Sequence, residues 1–257
     1  MKNFLHFTYL QALSCIFPVI IFGALALSQL INIPFLPRYD FILLICIAAQ
    51  VFMIVSKLET FDEFKVICLF HIIGLALEIF KVHMGSWSYP EEAYSKIFGV
   101  PLYSGFMYAS VASYICQSWR RLDLHMYNWP KPFYTISIST LIYLNFFLHH
   151  FTYDIRWFLK GLLVVIFFRT IVTFQVNEKM YKMPMILSFL LIGFFIWIAE
   201  NITTFLGAWQ YPNQQDAWSI VHIGKISSWF LLVIISVIIV AQLKRIKSSS
   251  QKTFLPK

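Results

Sequence analysis

The phrase Glu78 … Gly85-Ser86-Trp87-Ser88-Tyr89-Pro90 returns later as Glu200 … Gly207-Ala208-Trp209-Gln210-Tyr211-Pro212. The five shared positions (the acid, Gly, Trp, Tyr and Pro) keep one offset of 122 residues without a gap. In both copies the acid stands seven residues before the glycine. Both acids interrupt long apolar runs, where a carboxylate is expensive and usually functional. The repeat therefore predicts an internally duplicated membrane protein and points to its site.

The composition agrees. Of 257 residues, 59% are hydrophobic and 12% charged, and the mean hydropathy is +0.71. Such a chain is neither an ordinary soluble domain nor a disordered one. The net charge of +8 reads as basic residues flanking membrane spans. No basic stripe interleaved with exposed aromatics marks a nucleic-acid surface. Cys15, Cys46, Cys68 and Cys116 each fall in an apolar run without ligand spacing, so they read as small core residues.

A span needs roughly 20 apolar residues. Eight candidates lie at about 9–31, 41–56, 64–80 and 100–118, then 133–149, 157–174, 184–207 and 226–243. The first begins behind Lys2 and reads as a retained span rather than a cleaved leader. The repeat offset lays each of the first four onto one of the last four. The expected fold is an all-α membrane bundle of about eight helices, in two parallel four-helix repeats, 1–128 and 129–243. A basic tail, 244–257, follows. An even number of spans per copy gives both copies the same orientation, as in parallel-repeat transporters.

Lys and Arg set the sidedness. With the N-terminus cytoplasmic, 13 of them fall on the inner side and 6 on the outer, with Arg169 inside a span. The bias predicts a multi-pass protein of the bacterial cell membrane with both termini cytoplasmic. Both phrases then lie at the outer surface. Arg169 is expected to snorkel towards the inner interface.

In a helix, seven residues rise about 10 Å and nearly complete two turns. Each Glu is thus expected below its glycine, on the same face. Glycine suits a helix end and proline forbids continuation. Trp and Tyr offer an apolar body with a polar tip. Each copy reads as a helix, a break and an aromatic lid over one buried acid. The plainer alternative is a duplicated helix-end motif with interfacial aromatics and a Glu that bonds a neighbouring helix.

On the functional reading Glu78 and Glu200 are an acid–base pair. His71, seven residues before Glu78, shares its face and breaks the symmetry, since its counterpart is Gly193. A packed histidine bonded to a backbone carbonyl is the alternative there. Trp87, Tyr89, Trp209, Tyr211 and Asn201 are the candidate substrate-binding residues. The Asn201-Ile-Thr glycosylation pattern falls within a span. The outer-end residues His149, His150 and Asp154 show no metal-ligand spacing of the usual kinds. No metal or cofactor is called for, and no nucleotide or hydrolase fingerprint is present.

The stretches Gly85-Ser-Trp-Ser-Tyr-Pro-Glu-Glu92 and Val100-Pro-Leu-Tyr-Ser-Gly-Phe-Met-Tyr108 resemble the YoaT-like family of uncharacterised bacterial membrane proteins. That resemblance spans nearly the whole chain and implies a bacterial integral membrane protein. The two acid … Gly-x-Trp-x-Tyr outlines also distantly resemble the duplicated halves of membrane lycopene cyclases and carotenoid hydratases. The cyclases carry an acidic pair after a downstream proline. Here Pro101 leads into Leu-Tyr-Ser, Glu91 and Glu92 lie upstream, and the second copy has Asn213 and Gln214.

Two classes of function follow. The first is a membrane-embedded enzyme that protonates a double bond of an isoprenoid or another lipid, drawn from the bilayer. The second is a proton-coupled transporter of a small hydrophobic or cationic solute. A third reading is a non-catalytic membrane partner. The sequence does not set the oligomeric state.

Overall fold

The computed structural model describes the backbone of residues 1–253 and the side chains of residues 1–241. The chain divides into two compact units, one built from 1–122 with 197–223, the other from 123–196 with 224–257.

The first unit begins with α1 (Lys2–Ser14) and α2 (Ile16–Leu30), which are bent by 63° at Cys15. The expected single span 9–31 is thus a broken one. Pro18 is the cause: it has no N–H for the carbonyl of Ser14 and its ring crowds that carbonyl. It is tolerated in the first turn of α2, where N–H groups lack helical partners anyway. α3 (Arg38–Val55) and α4 (Phe61–His83) follow. A capping box starts α4: Glu63 N–H donates to Thr60 Oγ1 (3.3 Å) and Thr60 N–H to Glu63 Oε2 (2.9 Å). Its last turn carries Lys81 and His83, matched to the negative helix end.

A two-residue ribbon, β1 (Lys96–Ile97) with β2 (Val100–Pro101), leads into α5 (Tyr103–Arg121). α5 packs against α1, α2, α3 and α4. Its buried face is made of small and polar residues such as Ser104, Gly105, Ala109, Ala112 and Ser113, as suits a helix surrounded by other helices. α4 and α5 approach closely because each has a glycine facing a ring of the other. A Cβ on Gly74 would stand 2.4 Å from Tyr108 Cγ, and one on Gly105 2.7 Å from His71 Cε1.

The loop before α4 is held by a buried carboxyl. Glu59 accepts from Gln50 Nε2 (2.6 Å) and from Ser113 Oγ, while Gln117 Nε2 donates to the Leu58 carbonyl (2.7 Å). Burial pushes the Glu59 carboxyl above its ordinary range, against those hydrogen bonds.

The second unit holds α6 (Pro132–Leu148), α7 (Arg156–Phe167) and a three-stranded antiparallel sheet. The sheet runs β3 (His125–Tyr127), β4 (Ile171–Val176), β5 (Lys179–Pro184). It departs from the all-α expectation. The span expected at 157–174 stops at Phe167, because Ile171-Val-Thr-Phe-Gln-Val is β-branched and aromatic. Asn177, at φ +55°, turns the chain back. Arg169 sits in the turn between α7 and β4 rather than inside a span, and its carbonyl accepts from Asn128 Nδ2 (3.2 Å).

α7 buries Leu159, Leu163 and Phe167, one face at four-residue spacing. Phe167 meets Phe189 edge-on (5.4 Å, 82°), and Phe189 meets Phe230 (6.3 Å, 82°). α8 (Met185–Phe205) enters the first unit at Trp197, and α9 runs Lys225–Thr253. The expected tail 244–257 is helical in its backbone as far as Thr253, and 254–257 lie outside the described residues.

Among the described residues, α3, α4 and α8 are each long and apolar enough to cross a membrane, with mean hydropathies of 1.9, 1.9 and 2.0. The bent α1–α2 pair makes a fourth candidate. α6 and the stretch Lys225–Ala241 are apolar but shorter. The chain is therefore mostly helical, with three or four membrane-length elements where eight were expected.

Candidate functional site

The ends of α4 and α8 fold alike. Gly85 and Gly207 both take φ +67°, a conformation that glycine adopts without penalty. Gly85 N–H donates to the Val82 carbonyl (3.0 Å) and Ser86 N–H to that of Lys81 (3.0 Å). Gly207 N–H donates to the Thr204 carbonyl (3.0 Å) and Ala208 N–H to that of Thr203 (2.9 Å). These are the same paired closing bonds at equivalent positions, and they turn each chain back over its helix.

The turn brings each tyrosine onto its own acid. Tyr89 OH donates to Glu78 Oε2 (2.8 Å), and Tyr211 OH donates to Glu200 Oε1. Trp87 Nε1–H adds a second bond to Glu78 Oε2 (2.6 Å), and Tyr108 OH of α5 bonds the other oxygen (2.7 Å). Glu78 is 6% exposed and Glu200 3%. Both carboxyls are therefore inside protein, neither facing lipid nor bathed in water.

The two phrases also touch. Ser88 and Gln210, at equivalent positions, exchange backbone hydrogen bonds, each 2.9 Å. The Trp87 ring meets the Tyr211 ring edge-on at 5.9 Å and 79°. One contact path thus runs Glu78–Trp87–Tyr211–Glu200 within the first unit.

Burial, and then the charge of the adjoining Glu, push the Tyr89 and Tyr211 hydroxyls well above the usual phenol range. Both stay protonated and keep donating. Trp209 lies beside the Tyr211 hydroxyl and acts on it, whereas Trp87 bonds its acid.

Arg38, at the start of α3, latches the second phrase. Its guanidinium donates to the carbonyls of Leu206 and Gly207, to Ser28 Oγ and to Glu91. Gln29 Nε2 also donates to the Leu206 carbonyl (2.8 Å), and Tyr103 OH to that of Ala208. These donors satisfy carbonyls that a helix end leaves unpaired. Tyr89 and Ala208 join one buried cluster with Leu25, Tyr39, Ile42 and Tyr103.

Two expected site residues lie apart from the acids. His71 makes no hydrogen bond with Glu78. Its ring fills the hole over Gly105, packs on Phe106 (4.6 Å, 69°) and leaves Nδ1 buried without a partner. Asn201 spends its side chain on backbone: Nδ2 donates to the Trp197 carbonyl and Oδ1 accepts from Val221 N–H, both 2.8 Å. It pins the loop after the second phrase. Tyr108 and Arg38 had no assigned role in the sequence reading. Among the described residues no group of three His, Cys, Asp or Glu is placed to hold a metal ion.

Fold and site together define a mostly helical protein with several membrane-length helices and a pair of buried, tyrosine-capped acids. The chain belongs to the family described as "Protein of unknown function (DUF817)", whose pattern matches residues 3–237. It is 64% identical over 249 residues to the "Uncharacterized protein YoaT" of Bacillus subtilis (strain 168), covering 97% of this chain and 94% of that protein. No solved structure matched it. Neither description names an activity.

Proposed function

We propose that this is a multi-pass protein of the bacterial cell membrane, duplicated internally, with both termini cytoplasmic, that performs acid–base chemistry on an isoprenoid or another lipid. The observation that carries the reading is the matched pair Tyr89–Glu78 and Tyr211–Glu200, buried in one unit and joined through Trp87. The large exposed apolar side chains along α3 and α8, such as Val51, Phe52, Val55, Phe195 and Phe205, support a lipid setting. The 13-to-6 distribution of basic residues supports the sidedness.

In the proposed step a protonated carboxyl adds its proton to a carbon–carbon double bond. The resulting carbocation is stabilised by indole and phenol π faces and by the second carboxylate. It then loses a proton to that carboxylate, giving cyclisation or isomerisation, or takes up water and passes the surplus proton of the resulting oxonium to that carboxylate, giving hydration. Proton count and charge balance without a cofactor. Glu78 and Glu200 divide the acid and base roles between them.

The contact path between the acids favours a second reading, a transporter that couples proton exchange to movement of a small hydrophobic or cationic solute. Lipid profiling of deletion and overexpression strains separates the two. The enzyme reading expects altered polyprenyl or carotenoid species that disappear with Glu78→Gln. An unchanged lipid profile, with pH-driven solute uptake in vesicles weakened by either Glu→Gln change, would overturn it in favour of transport. Tolerance of both substitutions in both assays would leave the acids with a structural role only.

A further inference from the structure

A cleft of about 300 Å³ opens in the first unit beside the second phrase, between Pro90 and Glu91 on one side and Trp209 to Trp218 on the other. We infer that this cleft binds a primary ammonium group, presented by a free small amine or by an aminophospholipid headgroup. The inference stands independently of the acid–base reading, because neither Glu78 nor Glu200 lines the cleft.

The lining is matched to a cation that donates hydrogen bonds. Its ionisable residues are Glu91 and Asp216; among the described residues no Lys, Arg or His lines it. Glu91 shares one oxygen with Arg38 of α3, which itself also serves two carbonyls and Ser28. Asp216 is exposed and makes no ion pair or hydrogen bond among the described residues. The neighbouring donors are spent inward. Gln210 Nε2 donates to the carbonyls of Gln214 (2.8 Å) and Gln215 (3.4 Å), and Gln214 Nε2 to that of Ser219 (2.6 Å). The acceptors the cleft offers a ligand are the Asp216 carboxylate, the Glu91 carboxylate and the Gln210 amide oxygen, beside the exposed Gln215 amide.

Two indoles complete it. Trp218 is held at both ends: its Nε1–H donates to Thr204 Oγ1 (3.2 Å) and its ring meets Phe205 edge-on (5.4 Å, 82°). It is nonetheless 45% exposed. A fixed, accessible indole beside the exposed Asp216 carboxylate, with the Arg38-bound Glu91 carboxylate on the other wall, is an arrangement that attracts ammonium groups by both charge and ring quadrupole. Thr204 links the floor of the cleft to the acid site, since its Oγ1 also donates to the Glu200 carbonyl (2.9 Å).

The test is calorimetric titration of the full-length protein in lipid-free detergent with ethanolamine, and with ethylene glycol as the neutral counterpart. A parallel arm measures retention of phosphatidylethanolamine over phosphatidylglycerol from nanodiscs. Saturable binding of ethanolamine but not ethylene glycol, weakened about tenfold or more by Asp216→Asn and by Trp218→Leu, supports a free amine. Selective phosphatidylethanolamine retention lost in the same variants, without binding of the free amine, supports the headgroup. Equal behaviour of the amine-bearing and amine-free probes in both arms overturns the inference. So does variant binding equal to that of the parent protein. Both substituted side chains are solvent-exposed, and thermal unfolding confirms that the variants keep their fold.

Discussion

The two phrases share a backbone and diverge in what surrounds their acids. Both end a helix with the same pair of closing bonds, and both drop a tyrosine hydroxyl onto a glutamate eleven residues earlier. Around Glu78 the donors converge: Trp87 and Tyr89 share one oxygen and Tyr108 takes the other. At the second site Trp209 lies beside the Tyr211 hydroxyl, and in sequence the residue 122 positions after Tyr108 is Phe230, which has no hydroxyl. A repeat thus preserves the local device while single substitutions separate the two acids chemically.

The strongest way to break this contrast is deletion of each acid. Glu78→Ala strands the buried Tyr89 hydroxyl and the half-buried Trp87 and Tyr108 donors and is expected to cost about 3–5 kcal/mol. Thermal unfolding in detergent checks it beside Glu200→Ala, and a loss under about 1 kcal/mol would show that the three donors find other partners. Next comes the latch on the second phrase. Arg38→Met leaves two helix-end carbonyls and Glu91 without their cation and is expected to cost about 2–3 kcal/mol. It should raise hydrogen exchange around 206–210 more than around 85–89. Uniform exchange would show that Arg38 does not distinguish the phrases.

Gly74→Ala probes how Tyr108 reaches Glu78. The added Cβ would collide with the root of the Tyr108 side chain, where the ring cannot swing clear, costing about 1–3 kcal/mol. The equivalent position, Ile196, already carries a large side chain, so Ile196→Ala should leave the first site unchanged. A Gly74→Ala protein as stable as its parent would mean that Tyr108 is not seated in that hole.

The smallest effect comes from a buried acid away from both phrases. Burial raises the Glu59 carboxyl above its unfolded value, so the folded state holds the proton more tightly. Its favourable contribution is complete below the ordinary carboxylate range and is lost as pH rises through the raised value. Stability measured across that window should fall with rising pH, and less steeply in Glu59→Gln. Should Glu59→Gln also impair the function that Glu78→Gln impairs, burial of an acid rather than its phrase would be the property that matters.

The comparison also shows where sequence reading succeeds. The glycines, the prolines and the seven-residue spacing follow from local geometry, so the helix ends and the burial of both acids were legible. Their donors were only half legible: Trp87, Tyr89 and Tyr211 sit inside the phrase, whereas Tyr108 arrives from a helix packed across Gly74. His71 shares a helical face with Glu78, yet the hole at Gly105 takes its ring. Asn201 adjoins Glu200 in sequence but points at the backbone of Trp197 and Val221. Neighbouring positions on a helix point different ways, and spacing does not choose the partner.

By itself the sequence determined the apolar helices, the sharp helix ends and the placement of a carboxylate under each, because these depend on hydropathy and on backbone freedom within a few residues. Only the tertiary structure decided the break at Cys15 in the first expected span, the strands after Phe167, and which residues meet each acid. Those outcomes depend on contacts between segments far apart in the chain. A local pattern states what a segment prefers, whereas packing selects which of its side chains find a partner.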